Sequence, residues 1–224
     1  MNKIKLRTNR IFNYLFGEKF KKKLNYNWKN YPSRMQIIQE IIEYKKYKRY
    51  LEIGCDNDEL FSKIKIDFKV GVDPASGGTI RSTSNDFFKK NEHIFDIIFI
   101  DGLHHYKQVK KDINNSLNFL DKDGIIIIHD CIPKNYLEQA VPRSQFLWTG
   151  DVWKAFVEIR TKENLNSYTC LADKGLGIIM KRKNKNKLNL NIKDYKKLKF
   201  KDFYYNHKIM MNLVEYSKIR KILE

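Results

Sequence analysis

At 224 residues the chain is long enough for one domain with a substantial core and helical additions. Its formal net charge of +18 is spread, with abundant Asn, over segments with and without motifs, which reads as solvated surface favouring an anionic partner rather than as a nucleic-acid-binding module. No apolar run reaches the eighteen or so residues that span a bilayer, no secretory h-region opens the chain, and Cys55, Cys131 and Cys170 form neither a zinc motif nor a disulfide framework, so a soluble cytoplasmic protein with reduced thiols is expected.

Residues 1–48 read as a helical extension. Ile11, Phe12, Leu15, Phe16 and Phe20 fall on one helical stripe, and Ser33 caps a second helix carrying Ile37, Ile38, Ile41 and Ile42. A basic-flanked stripe of this kind packs on its own domain, covers a substrate pocket, or lies on an anionic membrane surface. Residues 49–182 alternate short β-rich runs with helical spacing, the pattern of a parallel sheet wrapped by helices. Seven strands are predicted near 49–53, 68–72, 79–82, 96–100, 124–128, 167–171 and 176–180. Val109, Ile113, Leu117 and Leu120 mark a helix near 105–120 that stops before Asp123-Gly124. Residues 183–224 read as a basic linker followed, from Asp202, by a terminal helix carrying Phe203, Met210, Leu213, Val214 and Ile219.

The chemistry is concentrated between Tyr50 and Asp73. An apolar run ends in Leu51-Glu52-Ile53-Gly54, and a second ends in Gly71-Val72-Asp73. A strand, a Gly turn, a helix and a second strand closed by a carboxylate hold an adenosine cofactor at the carboxyl edge of a parallel sheet. Dinucleotide binding needs further glycines so that a pyrophosphate can approach; here Cys55-Asp56-Asn57-Asp58-Glu59 follows, with three acids that would repel it. A cofactor carrying a sulfonium and an ammonium suits such a loop better.

Leu51-Glu52-Ile53-Gly54 resembles the first motif of class I S-adenosylmethionine-dependent methyltransferases, although the later glycines of the usual Glu-x-Gly-x-Gly-x-Gly are lacking. Asp96–Tyr106 resembles the fourth strand and following loop of small O-methyltransferases associated with glycan and natural-product pathways. Gly124–Cys131 resembles their fifth strand and Gly150–Ala155 their next helix. The resemblance spans roughly residues 49 to 182. It implies a Rossmann-like, doubly wound, mostly parallel seven-stranded α/β sheet, with Asp73 on the ribose and Glu52 and Gly54 under the amino-acid end of the cofactor. Asp101 also lines the cofactor site in this reading. Ser84 either approaches the adenine or caps the helix that begins at Asn85.

An alcohol acceptor must lose its proton as it attacks, which calls for a base near neutrality or a metal. His104, three residues after Asp101, occupies the position where the resemblance implies a general base, with His in place of Lys; capping the next helix is the alternative. The adjacent His105 is the weaker candidate. Asp101 and Asp130 end neighbouring strands and need something positive between them: the sulfonium, a protonated His104 or His129, or a divalent cation such as Mg²⁺. The resemblance implies such a metal in some relatives, but His129-Asp130-Cys131 stands where catechol-type enzymes carry an Asp-Asn pair. Cys55 and Cys131 line the site or simply pack beside it, and Trp153 and Lys154 border the acceptor pocket or anchor their helix. The expected activity is O-methylation of a small polar acceptor, a sugar or sugar nucleotide of a surface glycan. The alternatives are an RNA methyltransferase or a catalytically silent binding subunit.

Overall fold

In the computed structural model, which describes residues 3–224, mostly continuous apolar runs build one eight-stranded sheet. Its strands are β1 (Arg49–Ile53), β2 (Phe68–Asp73), β3 (Ile80–Arg81), β4 (Phe95–Ile100), β5 (Leu120–Ile128), β6 (Asn166–Cys170), β7 (Leu176–Met180) and β8 (Leu213–Val214), in the order β3-β2-β1-β4-β5-β7-β6-β8. Strand β7 runs antiparallel to β5 and β6, and the other pairings are parallel. Both faces are covered, as parallel strands require. On β4, Ile98 and Ile100 join the core under α4 (Tyr106–Phe119), α6 (Val152–Arg160) and α7 (Phe200–Met210); Ile97 and Phe99 join the core under α2 (Arg34–Lys45) and α8 (Ile219–Leu223). Short helices α3 (Ser84–Lys90) and α5 (Tyr136–Gln139) complete the edges, and α1 (Lys3–Phe16) opens the described chain.

Ser33 caps α2 as expected, in a capping box with Gln36. Ser33→Ala is expected to cost about 1 kcal/mol in urea unfolding, because the N-terminal N–H groups of α2 lose an acceptor.

Three expectations differ from the structure. The sheet has an eighth strand: the expected single terminal helix stops at Met210, Asn212 turns through φ +49°, and Leu213–Val214 pairs with Thr169 and Cys170. Two residues are too few to show alternation in sequence. Strand β5 begins directly at Leu120, where α4 ends, earlier than predicted. The stripe of the first helix does not pack on the domain: Ile11, Phe12, Leu15 and Phe16 are exposed, while Phe20 lies beyond α1 and packs against Phe200, Tyr204 and Tyr205. No helix among the described residues is long and apolar enough to cross a membrane.

Candidate active site

The carboxyl ends of β1, β2 and β4 open into a cleft of about 840 Å³ lined by Glu52, Gly54, Cys55, Asp73, Ser84, Asp101 and His104. Gly54 makes the turn possible. Its φ is +91°, and a Cβ there would lie 2.4 Å from the Asp101 carbonyl oxygen. Beyond it the backbone turns left-handed again at Asp56 (φ +47°) and Asp58 (φ +64°), positions where glycine is the usual solution. Asp tolerates this region better than most residues, and Asp58 Oδ1 is further held by the Gly78 N–H, which donates to it at 2.6 Å from the loop beyond β2.

Asp73 is locked at the end of β2. The Ala75 and Ser76 N–H groups donate to Oδ1 (2.7 and 2.9 Å), and the Asp56 N–H donates to Oδ2 (3.1 Å). Burial opposes its ionisation, but these donors and Arg81 outweigh it, and its pKa is lowered. Glu52, 1% exposed, accepts from the Tyr50 hydroxyl at 2.5 Å, and burial pushes its pKa up to about 7. At the other end of the cleft, Ser84 Oγ donates to Asp112 Oδ1 (2.6 Å) and Gln108 Nε2 to the same oxygen (2.9 Å). Thr83, not Ser84, caps α3.

Behind Asp101 lies a compact charged cluster. His104 Nε2 is 3.1 Å from Asp101 Oδ1, and its Nδ1 is 3.3 Å from both Asp130 Oδ2 and the Trp148 carbonyl. His129 Nδ1 is 3.1 Å from Asp101 Oδ1, while its Nε2 is 3.3 Å from Asp173 Oδ1. Burial works against charge on both imidazoles, yet the surrounding carboxylates prevail: the His104 pKa is raised and that of His129 is pushed up to about 10. Burial likewise opposes ionisation of Asp101 and Asp173. The two histidines hold Asp101 well below the carboxylate range, and His129 with Arg34 brings Asp173 down to about 2.

These shifts set the pH response of the EDTA-treated protein. His129 is raised above its ordinary 6.5, so its stabilisation is complete below that value and is lost as pH climbs through about 10. Asp173 stabilises above its ordinary 3.8 and ceases to do so as pH falls toward about 2. Urea midpoints are therefore expected to fall between neutrality and the alkaline range, with a shallower alkaline slope in His129→Gln.

Residues 32–131 match a family described as "Methyltransferase domain". Among solved structures, the fold is similar to a protein assigned as a caffeoyl-CoA O-methyltransferase from Staphylococcus aureus (16% identity, TM-score 0.52, covering 79% of this chain and 91% of that one). It is also similar to an S-adenosylhomocysteine-bound methyltransferase from Podospora anserina (16% identity, TM-score 0.50, covering 78% and 95%). At such identities the likeness shows the fold. No curated protein matches the chain significantly. Fold and family agree. Residues 32–131 carry a methyltransferase domain, within a Rossmann-like fold shared with solved methyltransferases.

The lining suits S-adenosylmethionine: the carboxylates of Glu52, Asp73 and Asp101 make the cleft acidic, as a cofactor with a sulfonium and an ammonium favours, and Gly54 leaves the backbone open to close approach. A divalent cation also fits. Donor atoms of Asp101, His104 and Asp130 all lie within 4.8 Å of one another, and the buried Asp130 Oδ1 has no hydrogen-bond partner, although Lys174 Nζ stands 3.4 Å away.

Two expected neighbours are elsewhere. Trp153 is fully buried, donating from Nε1 to Gln139 Oε1 and packing on Phe203, and Lys154 Nζ donates to the Lys196 carbonyl; neither lines the cleft. Cys131 is buried beneath the site, whereas Cys55 reaches the cleft. His105 heads α4 without a side-chain cap bond. The fold instead places Arg34, Arg143 and Gln108 in the cleft wall and stacks Trp148 on His104 at 5.6 Å.

Proposed function

We propose that this methyltransferase transfers the methyl group of S-adenosylmethionine to a hydroxyl of a small polar acceptor, a sugar or sugar nucleotide of a surface glycan, with His104 as general base. The observation that carries the reading is the placement of His104 at the edge of the cleft, between Asp101 and Asp130 and beside the acid-lined cofactor lobe. Asp73 binds the donor's ribose, Glu52 and Gly54 receive its amino-acid end, and Ser84 borders the adenine. Asp101 completes this lobe on the side of the transferred methyl.

His104 Nδ1 is held by the Trp148 carbonyl and Asp130, so Nε2 takes the acceptor proton as the oxygen attacks, and Asp101 Oδ1, 3.1 Å from that nitrogen, stabilises the imidazolium that forms. Asp101 and Asp130 would hold a divalent cation, which supplies positive charge to match the two carboxylates and lowers the pKa of a nearby hydroxyl. The guanidinium groups of Arg34 and Arg143 on the cleft wall favour an acceptor bearing phosphate or carboxylate. The numerous acids of the cofactor lobe disfavour a nucleic-acid backbone crossing it.

Titration calorimetry with S-adenosylhomocysteine is expected to show binding by the wild type and its loss in Asp73→Ala. Methyl-labelled donor incubated with sugar nucleotides and, separately, with RNA identifies the acceptor class. Label entering RNA alone would overturn the sugar assignment. Absence of donor binding would leave a silent binding subunit as the better account.

A further inference from the structure

Helix α1 is attached by its polar edge. Asn13, 3% exposed, donates from Nδ2 to the Pro142 carbonyl at 2.8 Å, and Asn9 Nδ2 donates to the Arg143 carbonyl at 2.7 Å. Leu6 is the one buried apolar side chain on the described helix. At 3.6 residues per turn, Ile11 and Leu15 lie on the side opposite Asn13. They are 62% and 58% exposed, beside Phe12 at 47% and Phe16 at 74%. The loop that receives the two asparagines carries Phe146 and Leu147, also about two-thirds exposed at 66% and 65%. Asparagine-to-carbonyl bonds thus hold the helix in an orientation that directs its aliphatic and aromatic side chains away from the core, where water covers them at a cost.

Charge indicates what covers this face. The segment Lys3–Phe16 contains Lys3, Lys5, Arg7 and Arg10 and no acidic residue, in a chain of net charge +18. A second copy docking through the same face would bring two such cationic helices together with no carboxylate from either, an unfavourable juxtaposition. Anionic lipid headgroups supply the missing countercharge, and the acyl boundary accepts Phe, Leu and Ile.

We propose that α1 is an interfacial anchor that lies in the surface of an anionic bilayer, with Ile11, Phe12, Leu15 and Phe16 at the acyl boundary and its Lys and Arg side chains at headgroup level. The docking loop is also a wall of the cleft, through Arg143 and through Trp148 against His104. Anchoring therefore brings the methyl-transfer site to the lipid surface, where a membrane-associated acceptor is presented. That last clause rests on the proposed function; lipid binding itself does not.

The test is co-sedimentation of the full chain with phosphatidylcholine vesicles and with vesicles that also contain phosphatidylglycerol. Binding is expected to the second kind and to weaken with added salt. Ile11→Asp combined with Leu15→Asp is expected to reduce the partition coefficient by at least about tenfold, and Arg7→Glu combined with Arg10→Glu to remove the preference for anionic lipid. All four side chains are exposed, and unchanged thermal unfolding of each double variant would confirm intact folding. Wild-type protein that stays in solution with both vesicle types would overturn the proposal. So would a dimer, seen by light scattering, that Ile11→Asp with Leu15→Asp dissolves.

Discussion

Replacing His104 with Gln is expected to lower methyl transfer by about 10²–10⁴-fold, the usual worth of a positioned general base, while S-adenosylhomocysteine affinity stays within a few-fold of wild type. The separation follows from geometry. Asp73 and Glu52 hold their conformations through Asp56, Ala75, Ser76 and Tyr50, none of which touches the imidazole. Gln keeps a polar group between Asp101 and Asp130, so the variant does not leave His129 and Lys174 alone to balance the two carboxylates. His105→Gln is the internal control: the side chain makes no cap bond and meets Trp148 edge-on, and little change in rate is expected. The rate's dependence on pH separates base catalysis from a structural role. Wild-type kcat/KM should rise through the His104 titration in the presence of Mg²⁺, and that limb should vanish in His104→Gln. A variant that lost donor affinity and rate together would assign His104 to cleft structure instead.

Much of this arrangement is legible in the chain because parallel strands buried on both faces read as continuous apolar runs. Phe95–Ile100 and Gly124–Ile128 end in Asp101 and His129-Asp130, and side chains just past such ends must meet at one edge of the sheet. Asp101, His104 and Asp130 are brought together by that logic alone. Asp173 and Lys174 come from the β6–β7 turn, where both adopt positive φ, and their approach to His129 and Asp130 depends on the antiparallel return of β7. Local sequence carries no sign of it. Arg143 and Trp148 arrive on an aperiodic loop whose course is set by carbonyl contacts to Asn9 and Asn13 more than 120 residues earlier. The missing glycines of the cofactor loop are another instance: Asp56 and Asp58 take the left-handed conformation themselves, so the turn survives without the residue type that usually signals it.

Gly54 has no such substitute, and Gly54→Ala is expected to cost at least about 2–3 kcal/mol in urea unfolding and to abolish donor binding. The backbone sits at φ +91°, outside the region where an L side chain is comfortable. The added methyl would also lie 2.4 Å from the Asp101 carbonyl oxygen, 2.6 Å from its carbonyl carbon and 2.7 Å from Gly102 Cα. These are backbone atoms, so no rotamer change relieves the clash, and β1 must separate from β4 where the Asp101 N–H donates to the Ile53 carbonyl at 2.8 Å. Movement there displaces Asp101, and with it the carboxylate shared by His104 and His129. Gly102→Ala provides the comparison: its Cβ would meet Ile53 Cγ2 at 3.4 Å, an ordinary contact, and near-wild-type stability is expected. If Gly54→Ala proved equally mild, the two strand ends would have to be less closely coupled than their hydrogen bond requires. Donor binding would then depend on Asp73 and Glu52 without a fixed β1–β4 edge beneath them.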